Sequence, residues 1–265
     1  MRNLLFANLF RLRRSRCFWA LAAVMLLSSL GLVLMEANET YEVLLERVMF
    51  QSLAFYGVIA AAFVGLFLGM EYGDGAVRNK LAVGAKRGSA YLAGFLTASA
   101  ACVLFYGLAI AAAGITGYFL LGTRESPSCF LTAFALGLLG CFAYCGLYSL
   151  IVMACQNKAV GAVCCLGTAI FLLAMAMFVN LRLAQPQIEQ VIQGTQVVEV
   201  ESAYYLTGLR REAFELLQLL SPTGQATKII TLDLNHPWKM ALCSAAFTAM
   251  TIAAGAALFH RKDLK

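Results

Sequence analysis

Charge is what this sequence has least of. Of 265 residues, 13% are Asp, Glu, Lys or Arg and 61% are hydrophobic, against roughly a quarter charged in an ordinary soluble domain. The chemistry that charge and histidine support is correspondingly thin. No G-x-x-x-x-G-K-[ST] occurs, and "GAKRGS" at 84–89 has the wrong spacing and order, so ATP binding through a P-loop is excluded. HExxH and GxSxG are absent too, and the two histidines, His236 and His260, fall at opposite ends of the last apolar run. An intramembrane hydrolase therefore has no support.

What is present is long apolar runs. Spanning a hydrocarbon core of about 30 Å takes about twenty apolar residues in a helix. Six runs qualify, at 17–35, 53–70, 91–121, 130–153, 159–179 and 240–259, and none contains Asp, Glu, Lys, Arg or His. An ion-coupled transporter needs ionisable groups within its spans, so energy for uphill transport has to come from another polypeptide. The third run is long and carries Gly107, Gly114 and Gly117, so it is expected to tilt, bend or leave the bilayer at its far end. The first run exceeds a signal-peptide core of about 7 to 15 residues, and "ANET" is a poor cleavage site, so it reads as a retained span. Nine cysteines lie mostly within or beside the apolar runs and read as membrane filler. Cys141 and Cys145 are one turn apart, but no His or carboxylate accompanies them as a metal site requires.

Orientation follows from the basic residues. The N-terminus, second loop, fourth loop and C-terminus together hold thirteen of the twenty Lys and Arg but three of the fourteen acids, Glu71, Asp74 and Asp263. That side is expected to be cytoplasmic, with both termini inside. The other side carries eleven acids in "EANETYEVLLER", the short "TRESPS" connection and a long segment at about 180–239. Trp19 and Trp238 sit at span ends, where aromatic belts lie, and Pro237 suits a first helical turn. "RNLLFANLFRLRRSR" places Leu5, Leu9 and Leu12 on one face, as for a helix along the inner membrane surface. "RREAFELLQLLSPTG" spaces Ala213, Phe214, Leu217 and Leu220 helically, as for an outer amphipathic helix that caps the bundle or touches substrate.

Between the second and third runs lies "MEYGDGAVRNKLAVGAKRGSAYL". It places Glu71 at a helix end, turns at Gly73 and Gly75, and offers Asp74, Arg78, Lys80, Lys86 and Arg87. Such a segment is either a docking surface for a soluble partner or a loop made basic only for topology. Gly65 and Gly69 permit close helix packing beside it.

This segment resembles the E-[YF]-x-x-G-[ST/A]-[IV]-R-N-K-L element of ABC-2 type permeases, the membrane subunits of bacterial ATP-binding-cassette exporters. Ala76 takes a place often held by Thr or Ser. "MRNLLFANLFRLRRSRCFW" is similar to the N-terminal interfacial helix and first span of that family, "LLSPTGQATKI" to the segment before its sixth span, and "LFHRKDLK" to its basic tail. The resemblance implies an all-α integral membrane fold over 1–265: six transmembrane helices, an N-terminal interfacial helix, a cytoplasmic coupling loop between helices 2 and 3, and a long extracytoplasmic segment between helices 5 and 6. It further implies a cytosolic ATPase partner that holds the ATP, a second permease copy or homologue, no cofactor on this chain and no nucleic-acid partner. Glu71, Tyr72, Asp74, Arg78, Asn79, Lys80 and Arg87 would contact that ATPase or position the element that does. Export of an amphipathic, peptide-like or lipid-like cargo is the function it favours, as in antimicrobial-peptide immunity and drug-efflux permeases. The alternative is a membrane scaffold or sensor whose outer segment binds a ligand.

Overall fold

The computed structural model of the chain describes residues 1–38, 43–121, 126–193, 196–202 and 205–261, with backbone alone for 189–193, 196–201 and 260–261. The tail residues Lys262, Asp263 and Lys265, and residues 123–125 of the "TRESPS" connection, lie outside the described residues.

Among the described residues six helices are long and apolar enough to cross a membrane, and each expected run maps onto one: Arg16–Glu36, Leu45–Gly73, Arg87–Leu120, Pro127–Cys155, Lys158–Leu183 and Pro237–Phe259. In chain order the elements begin with α1 (Arg2–Arg14), a helix that ends where Ser15 turns extended. The Ser15 hydroxyl then accepts from the Phe18 amide at 3.4 Å and starts α2 (Arg16–Glu36), the capping role for which a short hydroxyl side chain is suited. The second span breaks at Ser52 into α3 (Leu45–Gln51) and α4 (Leu53–Gly73). A seven-residue helix, α5 (Ala76–Ala82), follows, with Gly75 at φ 68° and Gly84 at φ 92° on either side. Both angles are left-handed, which glycine adopts without a Cβ clash, so the short helix is cut off sharply at both ends.

The third span, α6 (Arg87–Leu120), is one unbroken helix of 34 residues, about 51 Å long at 1.5 Å per residue. Of the three glycines noted in the sequence, Gly114 and Gly117 serve contact, while Gly107 has nothing within 4 Å. A Cβ at Gly114 would come within 2.8 Å of Met49 Cε, and one at Gly117 would meet Leu45, so both make room for α3. α7 (Pro127–Cys155) and α8 (Lys158–Leu183) form a tight hairpin, with Gln156 at φ 52° and Asn157 capping the amides of Ala159 and Val160.

The long segment before the last span is not purely helical. β1 (Ile188–Gln193) and β2 (Gln196–Glu201) pair antiparallel from Ile188 with Glu201 to Gln193 with Gln196. This two-stranded hairpin is an addition to an otherwise helical fold. α9 (Gly208–Leu220), α10 (Pro222–Ile230) and α11 (Pro237–Arg261) complete the chain. The expected amphipathic helix is α9, but it turns a different face inward. Gln218 is buried and Phe214 meets the Phe178 ring at 6.1 Å, while Leu217 and Leu220 point outward. α10 folds back into the bundle and buries Pro222 through Ala226. There the Gln225 amide donates to the carbonyls of Leu219 (2.6 Å) and Met240 (3.2 Å) and accepts from the Ser244 hydroxyl at 2.7 Å, which satisfies a polar group that burial would otherwise penalise.

α4 is the axis of the bundle: 67% of its span is buried, against 28% for α2 and for α8 and 22% for α11. Its glycines Gly65, Gly69 and Gly73 recur at helical spacing along α8. A Cβ at Gly65 would lie 3.0 Å from Ala162 Cα, and one at Gly69 would lie 3.2 Å from Lys158 Cα. Backbone, unlike a side-chain tip, cannot swing aside. Gly65→Val should therefore destabilise the chain by about 1 to 3 kcal/mol, whereas Gly140→Ala, with nothing within 4 Å, should leave unfolding in detergent within about 1 kcal/mol of the parent. Equal effects would mean that α4 and α8 do not depend on this close approach.

Candidate functional site

The end of the bundle that carries α1, α5 and the C-terminus of α11 converges on one carboxylate. Glu71, on the last turn of α4, is 4% exposed. A carboxylate buried in this way requires charged partners, because desolvating it alone costs several kcal/mol. Two cations supply them at the same oxygen. Arg11 Nη2 of α1 and Lys80 Nζ of α5 each donate to Glu71 Oε1 at 2.8 Å. Lys80 Nζ also donates to Asn8 Oδ1 at 2.8 Å, and Arg11 Nη2 reaches the Phe67 carbonyl at 3.3 Å while its guanidinium stacks 4.2 Å above the Phe67 ring. Burial pulls the Arg11 guanidinium below its ordinary value, and Glu71, then Asp74, push it back up. Three segments of the chain, α1, α4 and α5, are thus pinned through one side chain.

α6 lines the joint at Gly94, where a Cβ would be in ordinary contact with Glu71 Oε2 at 3.8 Å. The cavity beside the carboxylate, lined by Glu71, Lys80, Tyr91, Gly94 and Ser149, is about 10 Å³, space for about one water molecule. It is a joint, too small to bind a transported substrate.

The seven residues singled out in the sequence divide into three groups. Asp74, Arg78 and Asn79 are exposed on and beside α5, together with Lys86 and with Val83, which is 90% exposed. Glu71 and Lys80 face inward and hold α5 to α1 and α4. Tyr72 and Arg87 pack against the end of α11: the Tyr72 ring lies 6.4 Å from the Phe259 ring, and Arg87 Nη1 donates to the Phe259 carbonyl at 3.4 Å. Val77, Tyr91, Met153 and Phe259 form the buried apolar cluster beneath this second contact.

Asn8 and Arg11 were not picked out by sequence reasoning. A signal for Asn8 was present: it lies between Leu5 and Leu12, two of the three leucines expected on one face, and it is 2% exposed, whereas the third, Leu9, is turned outward at 42%. Arg11 stood among five N-terminal arginines, and spacing alone gives no reason to single it out.

The sequence model described as ABC-2 family transporter protein matches residues 4–175, from α1 through most of α8. The chain belongs to that family. It is a multi-pass membrane protein and a permease of an ABC transporter, the membrane-spanning subunit and not the ATPase, and membership implies partnership with an ABC ATPase subunit. A comparison with curated proteins returns no match.

Removing the carboxylate while keeping its shape leaves two cations facing one another. Glu71→Gln should destabilise the α1–α4–α5 joint by about 2 to 3 kcal/mol, less than a fully buried pair because the Arg11 side chain keeps a third of its surface. Limited trypsinolysis at the exposed Arg78 and Lys86 should accelerate, with cleavage elsewhere unchanged. An unchanged digestion rate at those two sites would mean that the joint does not hold α5 in place.

Proposed function

We propose that the chain is the permease of a bacterial ABC exporter that moves an amphipathic, peptide-like or lipid-like substrate outward, as half of a paired bundle served by separate cytosolic ATPase subunits. The carrying observation is the two-sided construction of α5. One side is fastened through Lys80 to Glu71, and the other presents Asp74, Arg78, Asn79 and Val83 to solvent. A helix of seven residues has too little burial to fold alone, so its charged joint is what lets it bear a load. In this reading the exposed side docks on the ATPase. ATP-driven closure then displaces α5, and the buried ion pairs carry the displacement into α4 and α1.

From α4 the motion reaches α8 through the Gly65 and Gly69 contacts, and from the Arg87 contact it reaches α11. The opposite end is closed by α10, where Tyr144 donates to Thr223 Oγ1 at 2.9 Å and Gln225 is bonded to α11. Opening outward requires parting these few polar bonds. The buried carboxylates of the second span, Glu46 and Glu71, lie at its two ends, and between them tyrosine, serine and cysteine are the buried polar groups, which favours amphipathic or lipid-like cargo over an ion. Efflux or antimicrobial-peptide immunity fits such cargo. The thirteen-to-seven bias of basic residues supports placing α1, α5 and both termini in the cytoplasm.

The test separates the two faces of α5. Arg78→Glu with Val83→Asp alters only exposed residues, so insertion and thermal stability should match the parent, while affinity for the cognate ATPase should fall about tenfold or more. Co-purification and export assays read the result. Full ATPase binding by this variant would remove α5 as the docking element.

A further inference from the structure

The joint uses only one side of α1. At 100° per residue, Asn8, Arg11 and Leu12 share the side turned to the bundle, and Arg2, Phe6, Leu9, Phe10 and Arg13 share the side turned away. That outer side is apolar and cationic at once. Phe6 is 60% exposed and Phe10 63%, and two arginines stack on these rings, Arg2 at 5.7 Å over Phe6 and Arg14 at 5.4 Å over Phe10. The first 35 residues contain five arginines and no acid. The surface also continues into the exposed apolar side of a span. The exposed indole of Trp19 donates to the Arg13 carbonyl at 2.9 Å, and Val24 and Leu27 extend the exposed apolar face along α2.

We infer that the outward face of α1 binds anionic phospholipid, with Phe6, Phe10 and Trp19 in the headgroup boundary and Arg2, Arg13 and Arg14 on the phosphodiesters. Rings that flank guanidinium groups suit a surface that is apolar below and anionic above, which a bilayer with acidic headgroups provides. An acidic protein would satisfy the arginines but would not account for the continuity with α2. Cation–π stacking engages one face of each guanidinium and leaves its in-plane N–H donors free for phosphate oxygens. Because Asn8 and Arg11 sit on the reverse of the same helix, lipid that fixes the depth of α1 also fixes the position of the Glu71 joint.

The sequence has two tryptophans, so Trp238→Phe leaves Trp19 as the sole reporter beside this face. The full chain is placed in phosphatidylcholine–phosphatidylglycerol vesicles in which one lipid or the other carries bromine on its acyl chains. At equal mole fraction, brominated phosphatidylglycerol should quench Trp19 about twofold more strongly than brominated phosphatidylcholine. Arg2→Gln with Arg13→Gln and Arg14→Gln, none of which touches Glu71, should abolish that preference. A Trp19→Phe chain that reports from Trp238 should show none. Equal quenching of Trp19 by the two lipids would overturn the assignment, as would a preference that survives the triple substitution or is matched at Trp238.

Discussion

A carboxylate at the end of a membrane-spanning helix has to be either solvated or paired, and Glu71 is paired. Its burial imposes the geometry around it. Lys80 must point back toward α4, so α5 lies with one fixed side inward, and Arg11 must reach the same oxygen, so α1 is held across the end of the bundle. Asn8 completes the contact by accepting from Lys80. Ion pairs of this kind add little net stability over an apolar contact, but breaking one partner is costly. The arrangement is therefore better suited to fixing orientation than to raising stability, as a force-bearing joint requires.

The position of the joint gives it reach. α4 is the most buried span, and on its far side Gly65 and Gly69 bring α8 to backbone contact. Close-packed helices transmit displacement because their contacts cannot compress. In the proposed mechanism a shift of α5 reaches α1 and α4 through charge, α8 through the glycine contacts, and α11 through Arg87 and the ring cluster at Phe259. The matched family region, 4–175, holds the joint and most of α8. The hairpin β1–β2, α9, α10 and α11 lie beyond it, and within that region α10 is tied to the bundle through Thr223 and Gln225.

The six spans were legible in the sequence because twenty-residue apolar runs leave few alternatives, and the start of α5 was marked by the turn expected at Gly75, whereas its other boundary at Gly84 was not. The interior of the site was not. Glu71 and Lys80 were visible as charges near a helix end, but their inward direction depends on Asn8 and Arg11, separated from Lys80 and Phe67 by 72 and 56 residues. No local pattern reports a contact over that distance. The sequence marked α9 as amphipathic but did not fix which side turns inward: Leu217 and Leu220 are exposed, and Gln218 is buried and bonds Thr227 at 3.4 Å. The hairpin did leave a trace in the alternation of "QVVEVE", obscured by a segment otherwise rich in helix formers.

The central claim is that α1 and α5 move as one body when ATP is hydrolysed. The direct measurement is a covalent bridge in place of the Asn8–Lys80 bond: Asn8→Cys with Lys80→Cys on a background lacking the native cysteines, joined by a short bifunctional thiol reagent and assayed for ATP-driven export in the assembled transporter. The account predicts that the unbridged pair is impaired and that bridging restores turnover. Full activity without the bridge, or activity abolished by it, would contradict the account.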